Sequence, residues 1–145
     1  MTLRLSSETL HASCVARDGR AVMIFGPSGA GKSDLALRLI DRGFALVSDD
    51  QTMVRKSGER LLASAPPTIR GKLEIRGIGI VEMTPATDVP VAMIVELTSE
   101  IQRLPDDARE RVILGTPVPL ISVDAKTASA AIKVSLALDR TSPAA

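Results

Sequence analysis

Aromatic side chains are almost missing from this sequence: two Phe, no Trp and no Tyr occur among its 145 residues. Modules that grip single-stranded nucleic acid by stacking bases on aromatic platforms are thereby disfavoured, and the core has to be built from Leu, Ile, Val, Ala and Met. An excess of charge is missing too. Eighteen Lys and Arg stand against seventeen Asp and Glu, a formal net charge of +1, which supplies no broad basic field for holding a polyphosphate backbone. Any phosphate chemistry must be local. A single cysteine, Cys14, makes an intrachain disulfide impossible and reads as a small buried apolar side chain. No apolar run approaches the roughly 20 residues that span a bilayer, and no basic-then-apolar leader follows Met1. The expectation is a cytoplasmic chain with neither membrane nor nucleic acid among its partners.

What is present is an ordinary globular balance, 45% hydrophobic and 24% charged residues, in a length that fits one domain over residues 1–145. At this size folding buries roughly 68–70% of the unfolded chain's surface, so the core needs no staples. Two short apolar runs, Leu10 to Ala16 and Ala21 to Phe25, flank Asp18-Gly19 and predict a pair of strands. From Ser33 to Arg42 the residues Leu35, Ala36, Leu39 and Ile40 recur at helical spacing, with Asp34 in the first turn and Gly43 as the stop. Phe44 to Ser48 reads as a buried strand, Met53 to Arg55 and Leu61 to Ser64 as a hairpin about Ser57-Gly58, and Leu73 to Val81 as an extended segment broken by Gly77 and Gly79. Val91 to Leu97 and Val118 to Val123 read as strands, and Asp106 to Arg111 as a short helix or a mobile loop. Ala125 to Leu138 reads as a terminal helix, although Ile132, Val134, Leu136 and Leu138 also alternate like a strand. Arg140 to Ala145 reads as a disordered tail.

The chemistry is concentrated between a strand and a helix. Gly26-Pro27-Ser28-Gly29-Ala30-Gly31-Lys32-Ser33 satisfies the eight-residue phosphate-loop (P-loop) pattern, preceded by a buried strand and opening an amphipathic helix. Its glycines let successive backbone N–H groups turn toward phosphate oxygens, and the helix N-terminus adds about half a positive charge at the same place. Lys32 would reach the terminal phosphates, and the Ser33 hydroxyl would ligate Mg2+. The next strand ends in Ser48-Asp49-Asp50, placing carboxylates where ligands gather in α/β sheets. They can hold Mg2+ or accept a proton from an attacking hydroxyl. There is no Asn-Lys-x-Asp guanine reader, no Leu-Ser-Gly-Gly signature and no zinc-ligand spacing.

These residues also carry a resemblance. His11, the Gly26–Ser33 loop, Arg42-Gly43, Leu46-Val47-Ser48-Asp49-Asp50 and Leu73-Glu74-Ile75-Arg76-Gly77-Ile78-Gly79-Ile80 occur in the order seen in HPr kinase/phosphorylase, and Pro117-Val118-Pro119 with Ile121 is similar to that family's late strand. From about His11 to Val123 the sequence resembles the family's C-terminal catalytic domain, the Leu73–Ile80 stretch being its most specific element. The resemblance implies an α/β fold with one P-loop domain and a mixed, β-rich sheet of the phosphoenolpyruvate carboxykinase kind. It implies ATP and Mg2+ as cofactors and, as partner, an HPr-type phosphocarrier protein, HPr itself or a nitrogen-branch relative, phosphorylated on serine. The reverse reaction by phosphorolysis to pyrophosphate is implied as well.

Residue by residue, the resemblance makes Gly26 to Ser33 the phosphate cradle and Asp49 the catalytic acid/base. Asp50 supports it or the metal, His11 lies near this aspartate and the phosphate, and Glu74 is a metal-binding carboxylate. Arg103 falls where the family has an arginine on a mobile loop that stabilises charge on the phosphoryl group in transfer, and Arg76 is either a phosphate contact or a solvated strand residue. The longer members carry an N-terminal domain without counterpart in this sequence and assemble as hexamers, so a homo-oligomer is expected. Two other readings use the same loop: a P-loop kinase of a small metabolite, with Arg103 to Arg111 as its lid, and a non-catalytic nucleotide-binding regulator.

Overall fold

The computed structural model describes residues 6–101, 103 and 108–141. Among them the chain forms a mixed, strand-rich α/β fold with two α-helices. Its strands are β1 (Ser7–Leu10), β2 (Ala12–Arg17), β3 (Arg20–Phe25), β4 (Ala45–Ser48), β5 (Thr52–Ser57), β6 (Arg60–Ser64), β7 (Lys72–Ile75), β8 (Gly79–Glu82), β9 (Val89–Leu97), β10 (Arg109–Ile113) and β11 (Thr116–Val123). The helices are α1 (Lys32–Asp41) and α2 (Ala130–Arg140). No described helix is long and apolar enough to cross a membrane.

The strand β9 organises the sheet. Along one side it runs parallel to β3. Along the other its first residues pair antiparallel with β6 and its last four parallel with β11. The path β1-β5-β6-β9-β3-β2-β4 follows, with β10 attached outside β11. Because β2 is antiparallel to both β3 and β4, the carboxyl ends of β3, β4, β9 and β11 all leave the same edge, where ligands gather in such sheets.

Alternation along the central strands divides the core in two. Val15, Val22, Ile24, Met93 and Val95 face Leu35, Ala36 and Leu39 of α1 and Ala131, Val134 and Leu138 of α2. The intervening residues Cys14, Met23 and Ile94 face the curled half of the sheet through Val47, Val54, Leu61 and Ala63. Cys14 is fully buried, as its apolar surroundings in β2 suggest, and burial pushes its thiol pKa up. Polar contacts tie α2 down at the opposite edge from the site. Arg20 Nη1 donates to the Leu138 carbonyl at 2.9 Å and the Thr141 hydroxyl at 3.0 Å, satisfying the end of α2. Arg17 pairs with Asp139 and lies 4.8 Å above the Phe44 ring.

The elements differ from the sequence expectation in four places. Leu10 to Ala16 is not one strand: β1 pairs with β5, β2 pairs with β3, and His11 stands at the break between them. Leu73 to Val81 is a two-stranded hairpin, β7 with β8, closed through Ile78 N–H to the Ile75 carbonyl at 3.0 Å. The described end of the Asp106–Arg111 segment is neither helix nor loop, because Arg109–Ile113 finds backbone partners along β11. The two-residue turn Leu114-Gly115 has both φ values positive, the geometry that joins tight hairpins. The terminal helix starts at Ala130, and residues 125–129 form a turn before it. For the tail expected to be disordered, Arg140 closes α2, and residues 142–145 lie outside the described residues.

The β7–β8 hairpin is anchored at Gly71, whose φ is +73° and whose added Cβ would sit 2.7 Å from the Met83 carbonyl oxygen. That carbonyl belongs to rigid backbone, and Met83 N–H also donates to the Gly71 carbonyl at 2.8 Å. Gly71→Ala is therefore expected to cost about 2 kcal/mol or more, combining the left-handed backbone penalty with a steric clash. Urea unfolding monitored by circular dichroism measures it.

Candidate active site

The strand β3 ends at Phe25, and the chain turns through Gly26–Gly31 into α1. Ala30 N–H donates to the Pro27 carbonyl at 3.0 Å with Gly29 at φ +82°, a turn whose third position favours glycine. Gly31, at φ +101°, takes the N-cap position without a side-chain cap, leaving the first-turn N–H groups to an external acceptor. The loop is also packed from below: a Cβ on Gly26 would meet the Ala30 and Leu97 side chains at 3.1 Å. Lys32 is only 6% exposed, and its ammonium donates to the Gly26 carbonyl at 2.8 Å and the Pro27 carbonyl at 3.3 Å. The cation is thus stored against the loop's own backbone.

The carboxylates come from the end of β4. Asp49 is buried, 9% exposed. Its Oδ1 accepts from the Ser33 hydroxyl at 2.6 Å and the Ser13 hydroxyl at 3.2 Å, and its Oδ2 accepts from the Glu74 N–H at 3.2 Å. Three elements therefore converge on one carboxyl group: α1, β2 and β7. Asp50 sits at φ +65°, in the left-handed region that non-glycine residues adopt at a cost, with Gln51 N–H closing on the Asp49 carbonyl at 2.7 Å. The Ser13 hydroxyl accepts from Asp50 N–H at 3.0 Å, and His11 Nε2 lies 2.8 Å from Asp50 Oδ1.

Above these groups opens a cavity of about 790 Å3, within the size range of small-molecule sites. One wall is the loop and the start of α1, with Ser28, Lys32 and Ser33; the other is the β7–β8 hairpin, with Glu74, Arg76 and Ile78. Asp50 lines it as well. The sequence-derived residues of Gly26–Ser33, Asp49, Asp50, His11 and Glu74 are brought together. Arg103 is exposed and does not line this cavity.

Ser13 was not among the sequence candidates, although it is fully buried and touches both aspartates. Its signal is a lone hydroxyl in the apolar run Ala12–Ala16, a position that needs a partner. Arg76, open to two readings in the sequence, lines the cavity wall. The carboxylates and hydroxyls that line the cavity offer a metal oxygen donors, and among the described residues no three His, Cys, Asp or Glu side chains cluster as a complete cage. That fits Mg2+, which is commonly held by one or two carboxylates together with water and substrate phosphates, and Ser33, Asp50 and Glu74 line the same cavity for it.

The chain is 37% identical over 131 residues to HPr kinase/phosphorylase of Latilactobacillus sakei, covering 81% of this chain and 42% of that protein. To HPr kinase/phosphorylase of Chlorobium phaeobacteroides it is 38% identical over 126 residues, covering 78% and 37%. The chain thus spans about two-fifths of the length of these relatives. A solved structure of the Hpr(Ser) kinase/phosphatase from Coxiella burnetii superposes with a TM-score of 0.79 at 28% identity, over 91% of this chain and 94% of that one. The profile of the HPr serine kinase C-terminal domain matches residues 4–137, and the chain belongs to that family.

Proposed function

We propose that this chain is an ATP-dependent protein-serine kinase acting in the cytoplasm on a small phosphocarrier protein of the HPr type, and that the same site runs the phosphorolytic reverse. The observation that carries the reading is the hydrogen bond between Ser33 of the glycine-rich loop and Asp49, 2.6 Å, which brings a phosphate cradle and a buried carboxylate into one site. Phosphoryl transfer asks for positioning and charge neutralisation more than for covalent chemistry. The loop Gly26–Ser33 acts as a P-loop of the phosphoenolpyruvate carboxykinase kind and holds the nucleotide's phosphates. Lys32 moves from the Gly26 and Pro27 carbonyls to the terminal phosphates. Ser33, with Asp50 and Glu74 nearby, would hold Mg2+, which would neutralise phosphate charge.

In the forward direction the substrate's seryl oxygen attacks the terminal phosphorus, the bond to the bridging oxygen of the leaving diphosphate breaks, and Asp49 takes the seryl proton. In reverse an oxygen of inorganic phosphate attacks the phosphoserine phosphorus. The seryl oxygen departs with a proton from Asp49, and pyrophosphate is the product. His11, held on Asp50, orients that carboxylate. Arg103, arriving from the exposed segment after β9, adds positive charge to the phosphoryl group in transfer. Assembly into a homo-oligomer belongs to the same reading.

The test is incubation of the chain with Mg-ATP and purified HPr, read by intact mass and by mapping the modified residue, with Lys32→Ala alongside. The expected result is one phosphoryl group on a serine, lost with Lys32→Ala. Wild-type chain that binds Mg-ATP and leaves the carrier unmodified rules the reading out.

A further inference from the structure

The three donors on the Asp49 carboxylate stand in different places. Ser33 opens α1 and Glu74 belongs to the β7–β8 hairpin, and both line the cavity, so they stand on the side from which a ligand arrives. Ser13 holds the carboxylate from behind. It is fully buried in β2, between β3 and β4, and does not line the cavity.

The register of the sheet puts it there. Cys14 of β2 is paired with Ser48, the last residue of β4, so one step further along the antiparallel ladder sets Ser13 opposite Asp49, where β4 gives way to a turn. The residues around it in the strand, Ala12, Cys14, Val15 and Ala16, are apolar. Ser13 is therefore the one side chain of that run that can offer the turn a hydroxyl.

Both capacities of this hydroxyl are used. Its oxygen accepts from the Asp50 N–H at 3.0 Å, and its single proton goes to Asp49 Oδ1 at 3.2 Å. The two bonds act on consecutive residues that face opposite ways. One keeps the Asp49 carboxylate inside, while the other supports Asp50 at φ +65°, a backbone that persists only when its surroundings hold it. From that backbone the Asp50 carboxylate leaves toward solvent and His11. The same strand grips the far end of the turn, because the buried Thr52 hydroxyl donates to the Ala12 carbonyl at 2.8 Å.

We propose that Ser13 is a positioning residue for phosphoryl transfer: its hydroxyl fixes the Asp49 carboxylate in line for the acceptor serine and holds the turn that parts Asp49 from Asp50. This rests on the kinase reading above, in which Asp49 takes the seryl proton. Ser13 itself lies outside the cavity, so its removal costs rate and leaves the binding of nucleotide and carrier in place.

Steady-state phosphorylation of HPr by the full chain tests the role. Ser13→Ala is expected to lower kcat by about 10- to 100-fold, while KM for HPr and Kd for Mg-ATP stay within about twofold of wild type. Ser13→Thr keeps the hydroxyl at a strand position that suits a β-branched side chain, and should bring kcat back to within about threefold of wild type. In the Asp49→Asn background Ser13→Ala should change the remaining rate by less than about threefold, because the role acts through the carboxylate. Thermal unfolding identifies the folded variants. Ser13→Cys, close in size and only a weak donor, is expected to behave as Ser13→Ala and replaces it if that variant does not fold. A folded Ser13→Ala or Ser13→Cys chain with wild-type kcat overturns the role. So does an equal fall in the wild-type and Asp49→Asn backgrounds, or a folded Ser13→Thr chain no faster than Ser13→Ala. A wild-type chain that binds Mg-ATP and leaves HPr unmodified instead sinks the kinase reading, and the role with it, before any variant is compared.

Discussion

Asp49→Asn is expected to lower phosphoryl transfer to the carrier by about 10²–10⁴-fold, the usual contribution of a positioned general base, while the chain stays folded at a modest cost in stability. The local geometry sets that cost. Asp49 accepts three hydrogen bonds, from Ser33, Ser13 and Glu74 N–H. An asparagine can point its carbonyl oxygen at the Glu74 N–H and its amide at the two hydroxyls, which rotate to become acceptors. The fully buried Ser13 O–H then loses the carboxylate that accepts it, so a stability cost of about 1–3 kcal/mol is expected. What is lost is the ability to take a proton. The quantity to read is the initial rate of serine phosphate formation at saturating Mg-ATP, beside thermal unfolding of both proteins. A near-wild-type rate in a folded Asp49→Asn chain would remove Asp49 from the chemistry.

The largest effect on stability is expected at the strand that links the two halves of the sheet. Ile94 is fully buried on β9, in register with Met23 of β3 on one side and Leu120 of β11 on the other. Its side chain belongs to the cluster formed with Cys14, Val47 and Val54. The cluster is aliphatic apart from one ring, Phe25 at the end of β3, so few neighbours have the volume to refill a lost side chain. Ile94→Ala is expected to cost about 2–5 kcal/mol, the transfer free energy of the lost carbons plus an unrelaxed void. Leu136→Ala, at a position 58% exposed on α2, should cost under about 1 kcal/mol. Chemical denaturation of the two variants measures the contrast, and equal costs would mean that the described core is not the one that holds the fold.

Much of this arrangement was legible in the sequence because its signals are local. The loop Gly26–Ser33 announces both its strand and its helix, since glycine spacing, the Lys-Ser pair and the 3.6-residue apolar period after it are all confined to one stretch of chain. The pair Asp49-Asp50 at the end of an apolar run was readable for the same reason. The features that escaped are those decided by non-local pairing. Arg109–Ile113 is rich in charge and has no strong strand propensity, yet β11 supplies its backbone partners, and tertiary context outweighs propensity in sheets. The break at His11 follows from β1 choosing β5 while β2 chooses β3, a choice that no window of a few residues contains. Ser13 illustrates the same limit at the site. Its composition signal is one hydroxyl in an apolar strand, and only the register that sets β2 beside β4 turns it into the link between Asp49 and Asp50.

The cavity is bounded by residues drawn from distant parts of the sequence, and its hairpin wall carries Ile78, 77% exposed; Ile80, 68% exposed, lies two residues further on in β8. An apolar rim beside a charged floor suits a site that admits a serine carried on another protein's surface, because the rim can bury apolar area while the floor orients phosphate. This places the β7–β8 hairpin between the fold and the proposed activity: Gly71 fixes its base, Glu74 N–H binds Asp49, and its tip borders the cavity.

The most direct test of the central claim is a single-turnover experiment in which the chain, preloaded with γ-labelled Mg-ATP, is mixed with HPr and the label is followed. The account requires the labelled phosphoryl group to appear on a carrier serine with the wild-type chain, to be slowed by about 10²–10⁴-fold with Asp49→Asn, and to be returned as pyrophosphate when inorganic phosphate is added. Label that stays on ATP, or is released only as free phosphate, in the presence of a folded wild-type chain and a competent carrier would contradict it.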